Sequence, residues 1–89
     1  MSKTFYEVVL QDGTEIEFDA DGEWDSVDCI RSAVPAALIP GAIAEYVQIN
    51  FPSQVIVKID RETYGYEIEL SSGLELRFDK NGKFLRVDD

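Results

Sequence analysis

Histidine does not occur in this chain. Its absence removes every Ser–His–Asp triad, every Cys–His dyad and every histidine-ligated metal site. Cysteine is nearly as scarce. Cys29 stands alone, so no disulfide closes within the chain and no cysteine-based zinc site forms. Set beside Ile30, it reads as a buried small hydrophobe rather than a reactive thiol. No run of about 18 apolar residues occurs, so no helix-length membrane span is expected. Met1–Thr4 carries no hydrophobic signal region.

Positive charge is also short. Eight Lys and Arg face eighteen Asp and Glu, for a net charge of −10 and a pI near 4.2. The bases stand singly, at Lys3, Arg31, Lys58, Arg61, Arg77, Lys80, Lys83 and Arg86. Nucleic-acid binding draws most of its affinity from clustered Lys and Arg neutralising phosphates. No nucleic-acid partner and no anionic membrane surface is therefore expected. A basic protein or a cation is compatible with the charge, and so is the plainer reading that acidity keeps a small protein soluble.

What is present suits a folded domain. Prolines number three and glycines six, nearly all at plausible turns, and 45% of the 89 residues are apolar. The length fits one domain with one core.

The most informative feature is internal repetition. Tyr6 to Asp28 (YEVVLQDGTEIEFDADGEWDSVD) and Tyr66 to Asp88 (YEIELSSGLELRFDKNGKFLRVD) align without a gap, sixty residues apart, with ten of 23 positions identical. One structural unit occurs twice. Each copy predicts a β-meander. In the first, Tyr6, Val8 and Leu10 alternate with Glu7, Val9 and Gln11, the period of a strand with one buried face. Asp12-Gly13 supplies a hairpin turn. Ile16 and Phe18 mark the return strand, and Asp19 to Gly22 turns the chain into Glu23–Val27. The second copy repeats the plan through Ser72-Gly73 and Asp79 to Gly82.

Between the copies the period changes. Ile39, Ala42, Ile43, Tyr46, Val47 and Asn50 follow helical spacing, with Glu45 and Gln48 on the other side. Pro40 suits a helix start and biases Ile39 away from helix, so Pro35–Ile39 is expected to form a separate turn. Pro52 stops the helix after Phe51. Gln54–Asp60 alternates again, with Val55, Val57 and Ile59 set against Ile56 and Lys58. The expected fold class is α+β: an antiparallel sheet of two meander repeats, with one main helix packed across its apolar face. The whole of 1–89 reads as a single domain, with a meander repeat at 6–28, a helix at 35–51, and a strand plus meander repeat at 54–88. Ile39, Ile43, Tyr46 and Val47 would cover the sheet. The other sheet face would carry Glu7, Glu15, Glu17, Lys58, Glu67, Glu69, Glu75 and Arg77 and stay open to water.

The doubled strand–Gly–strand unit, ending Phe-Asp-x-x-Gly, joins the Pro-flanked helix VPAALIPGAIAEYV and the strand entry NFPSQVIVKI. Together they resemble the PepSY-like family, also described as β-lactamase-inhibitor-like proteins, known from exported proteins of Bacteroides-type bacteria. The resemblance runs from about Tyr6 to Asp88. It implies a helix-on-antiparallel-sheet fold, a periplasmic or secreted location, and a binding or inhibitory role. PepSY-type domains also occur in the propeptides of thermolysin-like metallopeptidases, where the inhibitor idea originates. The first meander departs from the pattern in lacking a helix before it. With no export signal in the sequence, localisation rests on the resemblance. The family supplies no agreed catalytic or ligand residues to carry over.

Catalysis is not expected, because acid–base groups need burial or a close partner to tune them and these carboxylates alternate along solvent-facing strands. No cofactor is implied. Asp19 and Asp21, continuing through Glu23, Asp25 and Asp28, are weak candidates for calcium, which takes clustered oxygens. The spacing falls short of an EF-hand loop. The matching turn, Asp79-Lys80-Asn81-Gly82, carries a lysine, which favours turn chemistry. Trp24, Phe84, Tyr64 and Phe51 form either an aromatic binding patch or, more simply, core and core edge. The expected function is a non-catalytic binding module, an inhibitor of an exported protein being one form, with a protein partner on Glu7, Glu17, Lys58, Glu67 and Arg77. Two alternatives are an assembly domain that self-associates through sheet edges, as a homodimer, and a weak calcium-binding domain.

Overall fold

The computed structural model describes residues 5–29 and 32–88. Met1–Thr4, Ile30, Arg31 and Asp89 lie outside the described residues. With them go the reading of the N-terminus, two of the scattered bases (Lys3 and Arg31) and the Ile30 neighbour invoked for Cys29.

Seven strands form one sheet: β1 (Tyr6–Val9), β2 (Glu15–Phe18), β3 (Trp24–Asp28), β4 (Ile56–Glu62), β5 (Gly65–Leu70), β6 (Glu75–Asp79) and β7 (Phe84–Asp88). They pair in chain order, every neighbour antiparallel. The sheet is thus one continuous meander, interrupted between β3 and β4 by a 3-10 turn at Ala36–Leu38 and the helix α1 (Gly41–Asn50). Pro40 immediately precedes the first helical residue, with φ −53°, and its carbonyl accepts the N–H groups of Ile43 and Ala44. Phe51 closes the helix by donating to the Val47 carbonyl at 2.7 Å, and Pro52 prevents another turn. This is the α+β architecture that the period changes predict.

The hairpins are set by local chemistry. Gly13, Gly22, Gly73 and Gly82 all adopt positive φ, as tight turns between antiparallel strands require. Asp19 Oδ1 accepts the N–H groups of Asp21 and Glu23, and Asp79 Oδ1 accepts those of Asn81 and Lys83 in the same way.

One apolar row crosses the entire sheet: Val8, Ile16, Val27, Ile59, Ile68, Leu76 and Val87 stand directly opposite one another in turn. Only its centre is covered. Val27, Ile59, Ile68 and Leu76 are fully buried, whereas Val8 and Val87 at the edges are 40% and 45% exposed. Ile43 and Val47 of α1 complete the core with Phe78, Leu70 and Ile56, and Leu38, Ile39, Tyr46 and Phe51 pack around it. Tyr46 stacks on Phe84 at 4.7 Å and meets Phe78 edge-on at 5.5 Å, contacts worth roughly 0.5–1.5 kcal/mol each beyond area burial. Cys29 is buried, with the Thr14 hydroxyl 3.8 Å from its sulfur.

Two sequence expectations are corrected. Tyr6, Val8 and Leu10 do not form a buried face; all three are exposed, because among the described residues α1 is the only α-helix and it leaves β1 uncovered. In the strand after the helix, Val55 is exposed, while Ile56 and Ile59 face the core. The ladder shifts between Ile56 and Lys58, pairing them with Leu70 and Glu69. That irregularity inserts one residue and reverses the in–out phase that strict alternation would assign to Val55 and Val57.

Candidate functional site on the charged sheet face

Side chains alternate across a sheet, so the face opposite α1 takes the remaining residues of each strand. The strand registers line them up in two rows. One runs Glu7, Glu17, Ser26, Asp60, Glu67, Arg77, Arg86 across all seven strands. The other runs Val9, Glu15, Asp28, Lys58, Glu69, Glu75, Asp88. The structure therefore places Glu7, Glu17, Lys58, Glu67 and Arg77 on one face. Glu7, Glu17, Glu67 and Arg77 share a row, and Lys58 lies in the next.

Acids repeatedly stand opposite acids in these rows: Glu7 with Glu17, Glu15 with Asp28, Asp60 with Glu67, Glu69 with Glu75, and Glu75 with Asp88. Like charges directly opposite destabilise a sheet. Lys58, between Asp28 and Glu69, relieves the crowding at the centre and also lies 3.9 Å from Asp60. Arg77 relieves it near β7. Its Nη2 lies 2.7 Å from Asp88 Oδ2, its Nε donates to the same oxygen at 2.9 Å, and Glu67 is 3.4 Å away. The guanidinium also lies over the Tyr64 ring, 5.3 Å from its centroid.

This crowding shows in the titration of the central groups. Glu67 is held above the ordinary carboxylate range, first by its withdrawal from water and then by the nearby charge of Glu75 on the next strand. Tyr64 is likewise raised, by desolvation and then by Glu67. Two groups of carboxylates converge on Glu67. Asp60, Glu62 and Glu67 bring one oxygen each within 4.8 Å of one another, and so do Glu67, Glu75 and Asp88. Bases approach both groups: Arg77 lies 3.4 Å from the shared Glu67 and 2.7 Å from Asp88, whereas Lys58 stands at a longer 3.9 Å from Asp60, so the first group is the less tightly neutralised. A hard cation takes six or more oxygens, so water would complete either set.

Asp19 and Asp21 lie in the β2–β3 turn, away from both groups, and Asp19 Oδ1 is engaged by the turn's own N–H groups. The four aromatics do not form one patch. Trp24, Phe51 and Phe84 pack against the core, Trp24 under the Arg61 guanidinium at 4.1 Å. Tyr64 sits instead with Arg77. Sequence reasoning did not single out Asp60, Glu62, Tyr64 or Asp88 for this face. Alternation hinted at Asp60 and Asp88, but their convergence on Glu67 needs the register of three strand pairs.

Comparison with known proteins supplies a relationship. Residues 4–86 match the profile of the family described as "putative beta-lactamase-inhibitor-like, PepSY-like". A crystal structure of a "putative periplasmic protein of unknown function" from Bacteroides vulgatus superposes with a TM-score of 0.90 at 42% identity, covering 100% of this chain and 74% of that one. Another "putative periplasmic protein" from the same species gives 0.87 at 40% identity, over 94% of this chain and 66% of that one. A "putative calcium-regulated periplasmic protein" from Bacteroides thetaiotaomicron gives 0.88 at 39% identity, over 100% and 72%. No curated protein matches the chain.

Proposed function

The chain belongs to the PepSY-like, β-lactamase-inhibitor-like family of periplasmic proteins, and from that premise we propose that it is a non-catalytic binding module whose charged sheet face engages a basic surface on an exported protein. The observation that carries this reading is the run of acid–acid pairs across the sheet. Fold stability alone disfavours such pairs, whereas a partner bearing Lys and Arg would be steered to them and would neutralise them on docking. Inhibition of the exported partner is the form of binding that the family description supports. The test is affinity capture from the periplasmic fraction at moderate salt, beside a bait carrying Glu17→Lys and Glu67→Lys. A protein held by the wild type and lost by the double variant supports the reading. Equal capture by both, or none, removes it.

Calcium is a second reading. It is favoured by the relative from Bacteroides thetaiotaomicron described as calcium-regulated and by the convergence of Asp60, Glu62 and Glu67. In this reading the ion would occupy the strand-face group rather than the turn at Asp19 and Asp21, and would relieve the repulsion there.

A further inference from the structure

The surface of α1 beyond its core-facing residues is not uniformly polar. Ile43 and Val47 are buried against the sheet, but Ala42, Glu45, Tyr46 and Ile49 follow helical spacing on an adjoining stripe. Ile49 is 70% exposed, more than any other large hydrophobic among the described residues. The stripe forms one wall of a groove of about 410 Å³, and Lys83 and Phe84, just past the β6–β7 turn, stand on the other. Gly82 keeps the walls close, since a Cβ there would stand 2.7 Å from that of Ala42. The stacked rings of Tyr46 and Phe84, 4.7 Å apart, join them.

Charge in this groove is balanced and unengaged. Glu45 stands on one wall and Lys83 on the other, both exposed. Among the described residues neither makes an ion pair, with each other or with a neighbour, whereas Lys58, Arg61 and Arg77 are all held by acids. A purely basic partner would leave repulsion at Lys83, and a purely acidic one would leave it at Glu45. What fits is a surface with the same acid and base in reversed order, beside an exposed apolar side chain of its own.

A two-fold axis supplies that surface from the groove itself, because it sets one patch against its own copy. With the axis near Glu45 and Tyr46, α1 crosses α1 of the second copy antiparallel, and the small Ala42 of each faces the large Ile49 of the other. Repulsion between two chains of charge −10 is screened beyond about 8 Å at physiological salt, so contacts at the interface decide the outcome. We propose that this groove is a self-association site, in which Ile49 of each copy enters the groove of the other and Glu45 of each pairs with Lys83 of the other. The site is built from α1 and the β6–β7 turn, on the opposite side of the sheet from the charged rows, and does not depend on them.

The test is sedimentation velocity of the whole chain across a concentration series. Two ten-residue helices with their adjoining turns bury less than about 1,200 Å², so dimers should form near about 100 µM and dissociate on dilution to about 1 µM. Ile49→Asp should weaken the dimer about tenfold or more. Glu45→Lys and Lys83→Glu each set like charges across the axis, so each variant alone should stay monomeric. Mixed in equal amounts, the two restore both ion pairs, and the mixture should dimerise about as well as the wild type. Circular dichroism checks that all three variants fold, as substitutions at exposed positions should. Val8→Asp and Glu17→Lys should leave the dimer in place, which separates this site from the uncovered β1 face and from the charged rows. A chain that stays monomeric at about 1 mM, a dimer that survives Ile49→Asp, or a charge-variant mixture that remains monomeric would overturn the proposal. A dimer lost on Val8→Asp and kept in Ile49→Asp would assign association to β1 and overturn it equally.

Discussion

Gly82 and Ala42 meet so closely that a single Cβ added at the glycine would stand 2.7 Å from the alanine's own. This contact fixes how near α1 lies to the β6–β7 turn. Gly82→Ala should cost roughly 1–2 kcal/mol for the left-handed backbone conformation, and more for pushing the helix away. Gly22→Ala, at the matching turn with the same φ, should cost only the backbone part. Urea denaturation of both variants measures the difference, and equal losses would show that α1 is free to shift.

Leu70 and Leu10 are sixty residues apart and equivalent, but Leu70 is fully buried and Leu10 is 46% exposed. Leu70→Ala should therefore lower stability by about 2–5 kcal/mol, as core truncations do. Leu10→Ala should stay within about 0.5 kcal/mol, as at most surface positions. A large loss for Leu10→Ala would mean that the face is covered in solution.

Glu67 titrates above the ordinary carboxylate range. The folded chain then holds a proton that the unfolded chain has released, in the window between the ordinary value and the raised one. Stability falls as pH rises through that window. Glu67→Gln should raise the melting temperature by a few degrees at pH 7 and flatten its slope at mildly acidic pH. Asp12 works in the opposite sense. Its carboxylate is lowered by the Thr14 N–H that it accepts, so that contribution is present above its unfolded value and lost as pH falls through the folded one. An unchanged acid-side slope in Glu67→Gln would remove the assignment.

If Asp60, Glu62 and Glu67 hold calcium, millimolar calcium should raise the melting temperature at pH 7, because a ligand of the native state stabilises it. The rise should shrink as pH falls and Glu67 takes up its proton. Asp60→Asn should abolish it, and Asp21→Asn should leave it intact. Loss in Asp21→Asn alone would return the site to the β2–β3 turn.

Much of this protein is legible in its sequence because the signals are local. The alternation of Tyr66, Ile68 and Leu70 with charged residues specifies a strand wherever the chain lies. Glycine at 13, 22, 73 and 82 specifies tight turns because it alone adopts positive φ cheaply. Pro40 and Pro52 bracket the helix for equally local reasons, and the sixty-residue repeat needs no structure to be seen.

What the tertiary structure decided is non-local. Strand register brings Asp60, Glu62 and Glu67 together across a hairpin, and the irregularity at Val57 turns Ile56 inward against the simple alternation. Cover is likewise a tertiary property. The same apolar pattern is core at Ile68 and Leu70 and surface at Val8 and Leu10, because α1, the one α-helix among the described residues, reaches only part of a seven-stranded sheet. Sequence periodicity says which side of a strand is apolar; only packing says whether anything lies against it.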